Sequence, residues 1–325
     1  MRIERLLLVL AMVASLAFVA AACGDDEEEG NGAAAASGET PEELSGTIRI
    51  DGSSTVYPFA QAAAELFNEE QPGVRITVGQ SGTGGGFEKF CAGETDISDA
   101  SRPIDEEEEV PVCEKNAVEF GEVQVANDGI AIATNKGLAI ECMTTDQLAQ
   151  LWEPESKVAR YSDIDPSFPD VPVALFGPGT DSGTFEFFTE EITGEEGAQR
   201  TDYEASEDDN QLVTGVAGTE GGLGYFGLSY YEANTDKLNE VQVDSGDGCV
   251  APTTETVQDG SYAPLSRPLF MYPSKEAIAK PQVKAFMDFV IDNQQAITEA
   301  AQIVPLTSEQ AGKAGSAVKS LEGGA

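Results

Sequence analysis

Short β-branched runs alternate along this chain with amphipathic stretches of helical period. Residues 47–50 and 74–78 read as strands, followed by 123–125, 130–133 and 171–176, with 241–243 and 269–272 further on. Between the first two, residues 55–68 place Phe59, Ala63, Leu66 and Phe67 on one face, and Pro72-Gly73 supplies the stop. A second helix is expected to start near Gly85 and to carry Phe87 and Phe90. A third, over residues 183–192, sets Phe185, Phe188 and Ile192 on a common face, with Gly194 beyond its end. The last major one opens at Pro281, a favoured first helical position, and presents Val283, Phe286, Val290 and Ile297. Strand alternating with helix predicts an α/β architecture. The aromatic positions on these helices are those of ordinary core packing.

A chain of 325 residues exceeds one small core and predicts two lobes of ordinary domain size. Its first segment has a different pattern. Arg2 and Arg5 precede an apolar run over residues 6–19, and Ala20-Ala21-Ala22 then leads to Cys23. The run is short for a permanent span, which needs about 20 residues. Residues 1–22 therefore read as an export signal, and the small residues ending in Cys23 as a lipoprotein cleavage site with lipid on that cysteine. Residues 23–45 are acidic, rich in Ala, Gly and Glu, and free of aromatics, the composition of a flexible tether between lipid and domain.

Charge and chemistry narrow the function. The 18 Lys and Arg face 58 Asp and Glu, a net charge of -40, which excludes a nucleic-acid partner because a phosphate backbone needs a positive stripe. A small anion is not excluded, since charges beyond a screening length of roughly 8 Å matter far less than the groups touching the ligand. The chain has no histidine, which removes Ser-His-Asp and Cys-His catalysis together with the commonest metal ligand. No enzyme activity, cofactor or metal is expected. Cys91, Cys113, Cys142 and Cys249 form an even set in an exported chain and predict two disulfides. Three pairings are open; Cys91–Cys113 with Cys142–Cys249 is favoured because it keeps each bridge inside one lobe.

Three polar, Gly-rich segments each precede a predicted helix: Gly52-Ser53-Ser54-Thr55, then Gln80-Ser81-Gly82-Thr83-Gly84-Gly85-Gly86, then Gly179-Thr180-Asp181-Ser182-Gly183-Thr184. Helix N-termini offer unpaired N–H groups and a partial positive charge, so they bind anions without a basic side chain, and Ser and Thr hydroxyls add donors. A fourth segment, Asp96-Ile97-Ser98-Asp99-Ala100-Ser101-Arg102-Pro103, contains an arginine able to grip a tetrahedral oxyanion or, equally, to pair with an acid among residues 105–109.

In this order and spacing, Gly52 to Pro58, Ser81 to Phe87, Ser98 to Pro103 and Asp181 to Thr184 resemble the phosphate-binding proteins of bacterial phosphate-specific ABC importers. The likeness continues through residues 144–153, 221–225 and 264–272. It implies an α/β, two-lobed periplasmic-binding-protein fold of type II whose hinge is crossed twice. One lobe would comprise residues 46–127 plus 264–325 and the other residues 128–263. It further implies an extracytoplasmic receptor that captures inorganic phosphate and delivers it to the importer's membrane permease. By position, Ser54, Thr55, Ser81, Thr83, Ser101, Ser182, Gly183 and Thr184 fall on the family's ligand loops. Some members use an Asp to accept the phosphate proton where this chain has Ser101, and an Arg where it has Pro178. Arg102 and Asp181 stand beside those positions as replacements, with Asp99 a second candidate for the acceptor. A receptor for sulfate or molybdate, and an exported phosphatase-like enzyme, are the alternatives.

Overall fold

The computed structural model describes residues 44–323; the signal segment, Cys23 and the tether up to residue 43 lie outside the described residues. Among the described residues there are eleven strands: β1 (Gly46–Gly52), β2 (Val74–Val78), β3 (Ile97–Ala100), β4 (Val123–Asn135), β5 (Cys142–Thr144), β6 (Ala174–Gly177), β7 (Glu204–Ala205), β8 (Gly222–Gly227), β9 (Leu238–Asp244), β10 (Cys249–Val250) and β11 (Ser266–Pro273). They join in the order β2-β1-β3-β11-β4-β8-β6-β7, with β9 pairing β4, β5 and β10.

Alternation builds the first strand: Ile48 and Ile50 point into the core, while Thr47 and Arg49 point out. β1, β2 and β3 are parallel, so their C-terminal ends and the loops that leave them share one edge. Ligands of open α/β sheets bind at such an edge. The helix Tyr57–Glu70 that follows the first loop buries Phe59, Ala60, Ala63, Ala64 and Phe67, as its apolar stripe predicts, and starts with a proline in its first turn.

Two segments expected as separate strands, 123–125 and 130–133, are one continuous strand of 13 residues. Its first part pairs with β11, down to Gly129 opposite Ser266, and its second part pairs with β8 and β9. β4 therefore connects two cores. One gathers Ile48, Phe59, Phe67, Val125, Met271 and Phe286; the other gathers Ile132, Trp152, Tyr161, Phe188, Tyr225 and Val241. A smaller cluster of Phe87, Phe90, Ile104 and Tyr272 surrounds Cys91 and Cys113.

The disulfides are Cys91–Cys113 and Cys142–Cys249, the favoured pairing. The second joins β5 to β10, the two strands that flank β9.

Three helical expectations change. The glycine-rich run is itself helical from Gly82, and the backbone of Gly52 packs where a side chain at Gly86 would be: a Cβ there would stand 2.6 Å from the Gly52 Cα, so the position needs glycine. The helix that opens at Pro281 ends at Asp292, and Ile297 belongs to a separate helix, Gln294–Ala301. The helix begun at Gly183 keeps α geometry only to Phe188 and continues as a π-turn, Thr189–Thr193. The hydroxyl of Thr189 donates to the carbonyls of Phe185 and Glu186, the kind of back-bonding that widens a helix locally.

Candidate functional site

The loops at the C-terminal ends of β1, β2 and β3 meet the helix Gly183–Phe188 and the start of β11 around a cleft of about 780 Å³. Of the residues expected from sequence, Ser54, Thr55, Ser81, Thr83, Ser101 and Arg102 line it, with Ser53, Gly84 and Gly85 beside them. Their hydroxyls are held in defined positions. Ser53 donates its N–H to the Asp99 carbonyl at 3.0 Å, and its hydroxyl accepts from Thr55 N–H at 3.2 Å, which fixes the first loop. Ser81 donates its hydroxyl to Asp51, whose other carboxylate oxygen takes Lys89 at 2.7 Å. Thr83 and Ser101 share a hydrogen bond at 3.0 Å between their hydroxyls.

The third segment contributes differently from expectation. Asp181 is exposed, and Asp181, Ser182, Gly183 and Thr184 are not among the residues that line the cleft. Ser182 caps its helix by accepting from Thr184 N–H at 3.2 Å, and Gly183 is buried directly against Ser54 and Thr55. The wall on that side is built one turn later, by Glu186, Phe187, Glu190 and Glu191, with Glu196 following. Glu186 and Phe187 come from the α-helix itself, and Glu190 and Glu191 from the π-turn that continues it. Glu186 accepts a hydrogen bond from Ser54 across the cleft.

Arg102 lies at the mouth but is already paired. Its two terminal nitrogens make a bidentate bridge to Glu109, each at 2.8 Å, and the first also donates to the Pro103 carbonyl. Glu109 foremost holds the guanidinium firmly charged. The salt-bridge alternative for Arg102 is the one the structure adopts.

The cation at the centre is Arg267, which motif reading missed. It is the second residue of β11, its side chain is only 13% exposed, and its guanidinium lies 3.7 Å from the centre of the Phe187 ring. One terminal nitrogen donates to the Thr55 hydroxyl at 2.6 Å and to the Gly183 carbonyl at 3.4 Å; Nε reaches Asp128 at 3.3 Å. Burial pulls its pKa down, and Asp128 opposes that pull. On the facing wall, burial raises the pKa of Glu191, helped by Glu190, and that of Glu196, helped by Glu186 and Glu190. The cleft thus sets hydroxyl donors and one buried guanidinium opposite four carboxylates. It can grip a small tetrahedral anion that itself brings hydrogens to donate.

Residues 37–294 match the family model of the PBP superfamily domain. The chain is 44% identical to the SphX protein of Synechocystis over 83% of its own length and 81% of that protein's. It is 37% identical to the phosphate-binding protein PstS of Staphylococcus haemolyticus over 91% of each. The chain belongs to the phosphate-binding protein family of bacterial ABC importers. The crystal structure of a possible phosphate binding protein from Planctomyces limnophilus aligns with a TM-score of 0.81 at 40% identity, covering 86% of this chain and 99% of that one. The fold is accordingly the two-lobed one of periplasmic binding proteins, and the family consists of transport receptors rather than enzymes.

Asp99, the second acceptor candidate in this family member, does not line the cleft. It is wholly buried behind the first loop, and neither carboxylate oxygen has a hydrogen-bond partner among the described residues. Burial, and secondarily the charge of Asp51, raises its pKa well above the usual carboxylate value, so folding favours its protonated form. The unfolded chain releases that proton near pH 3.9, the ordinary value for about an exposed Asp. Stability therefore falls as pH rises above about 3.9 towards the folded-state pKa. Asp99→Asn removes this dependence. The melting temperature of the variant minus that of the parent is expected to increase between about pH 4 and about pH 7; a constant difference would mean that Asp99 titrates normally.

Proposed function

We propose that this protein captures inorganic phosphate outside the cytoplasmic membrane, held there by lipid on Cys23, and delivers it to the permease of an ABC importer. The observation that carries this reading is the buried Arg267 guanidinium at the cleft, between the hydroxyls of Ser54, Thr55, Thr83 and Ser101 and a carboxylate wall. Hydroxyls and the guanidinium suit the oxyanion's acceptor oxygens. The carboxylates suit its P–O–H groups, which sulfate at neutral pH lacks. Family membership supports the same ligand and the importer as partner. Micromolar binding needs about 8 kcal/mol net, within reach of several charge-assisted hydrogen bonds at roughly 1.5–3 kcal/mol each. In this reading residues 46–127 with 264–325 move against residues 128–263, and closure carries Gly183 onto Thr55.

Calorimetry of the purified domain with phosphate, sulfate and molybdate tests the ligand. Phosphate is expected to bind at micromolar or tighter concentration and sulfate at least about 100-fold more weakly, a gap of about 2.7 kcal/mol. Equal binding of sulfate would overturn the assignment, and turnover of a phosphomonoester would restore the phosphatase-like alternative. For the anchor, labelled fatty acid is expected to enter the parent but not Cys23→Ala; label in both would place the lipid elsewhere.

A further inference from the structure

The charges around the cleft are unusual for a site that takes a multiply charged anion. Glu186, Glu190, Glu191 and Glu196 line the wall facing the hydroxyl loops. On the opposite side β11 contributes Arg267, which β4 offsets with Asp128. The loop after β3 contributes Arg102, offset by Glu109, with Asp105 next to it. Behind Ser81, Asp51 of β1 is paired with Lys89. Behind the first loop lies Asp99 of β3. Each of these cations therefore already has a closer carboxylate partner, and among the described residues the four wall carboxylates form no ion pair: Glu186 accepts from Ser54, and all four feel Arg267 only through space.

A dianion without hydrogens would face those carboxylates with nothing to offer them. A phosphate carrying hydrogens converts each such contact from repulsion between acceptors into a P–O–H···carboxylate bond. We propose that the cleft takes phosphate together with a proton: the bound species is dihydrogen phosphate, its two hydrogens shared with Glu186 and a neighbouring wall carboxylate. Where the free ligand is the dianion, one proton enters from solvent for each phosphate bound, and it resides on the hydrogen bond between a ligand oxygen and a glutamate. Burial, which raises the pKa of Glu191 and Glu196, acts in the same direction, because it disfavours bare negative charge on this wall.

This inference rests on phosphate being the ligand, and the test separates the two. Calorimetry in pairs of buffers with different ionisation enthalpies counts protons exchanged on binding. At about pH 8, close to one proton is expected to be taken up per phosphate, with affinity falling about tenfold per pH unit at higher pH. Glu186→Gln and Glu190→Gln are each expected to reduce the uptake, flatten the pH dependence and narrow the gap between phosphate and sulfate. Melting curves show whether each variant is folded. Phosphate binding with no proton uptake and no pH dependence would overturn the proposal and leave the phosphate reading standing. Unchanged uptake in both folded variants would overturn the placement of the proton on this wall. No phosphate binding at any pH would overturn the underlying reading itself.

Discussion

Arg267→Ala is expected to lower phosphate affinity at least about 100-fold, whereas Arg102→Ala is expected to change it less than about threefold. The two arginines both border the cleft, so the contrast tests position rather than charge. Arg102 gives both terminal nitrogens to Glu109 at 2.8 Å and is 47% exposed, where screening by water weakens its reach to a ligand. Arg267 is almost enclosed, stacked on Phe187, and tied to Thr55 of the first ligand loop. A charged donor there acts in a medium where water competes little, and roughly 1.5–3 kcal/mol per bond corresponds to about 10–150-fold in affinity. Removing the side chain also leaves Asp128 buried without its partner, so thermal stability should fall as well. Arg267→Lys separates the two effects. It keeps a charge near Asp128 but loses the planar fork, and it should regain stability while recovering only part of the affinity. Comparable loss from both alanine variants would move the anion towards the mouth and away from Arg267.

Gly183→Ala is expected to weaken phosphate binding more than about tenfold with little change in melting temperature. A Cβ on Gly183 would stand 2.5 Å from the Thr55 hydroxyl, 2.7 Å from the Thr55 nitrogen and 2.9 Å from the Ser54 hydroxyl. Two of those atoms belong to groups on which the site depends, and one is backbone, so the contact is relieved only by moving the two elements apart. Helical backbone at Gly183 accommodates alanine without strain, which is why the fold should tolerate the change. A shift of even 1 Å would also lengthen the bond from Arg267 to the Gly183 carbonyl, already 3.4 Å. Gly312→Ala, in the helix Ser308–Glu322 with open space around it, is the matching control, expected to leave affinity unchanged. Calorimetry and melting curves on both variants check the expectation; unaltered affinity in Gly183→Ala would show that the close approach is not needed for binding.

Much of this site could be read from the chain, and the parts that could not have physical reasons. Ser54, Thr83 and Ser101 follow β1, β2 and β3, and parallel strands bring such loops to one edge whatever the details of packing. Glycine and hydroxyl residues at those points announce themselves. Arg267 does not: it stands between Ser266 and Pro268 at the start of an apolar strand, inside a stretch of family likeness that points to no ligand residue, and the pairing of β11 with β4 is what brings it beside Thr55. Its one visible trace is a cation leading a buried strand in a chain with few cations. The wall was missed for another reason. Helical period placed Phe185 and Phe188 correctly in the core, but periodicity has no sign for a π-turn, and Glu190 and Glu191 of the wall lie in that turn. Asp181 looked favourable because it stands beside the positions whose usual family groups are missing; a helix-capping loop, however, can leave its neighbouring side chain in water, as it does here.

The strand that serves both cores has a mechanical consequence. β4 passes from one core to the other without a break, and β11 runs beside it at the crossing, bonded along the ladder down to Gly129 and Ser266. Two chains stitched into a ribbon bend easily across their thin direction and resist shear in their own plane, as a leaf spring does. Such a connection leaves one soft direction of travel. In the closure proposed above, that direction would bring Gly183 down on Thr55, with the ribbon holding the hydroxyl loops and the glutamate wall in register.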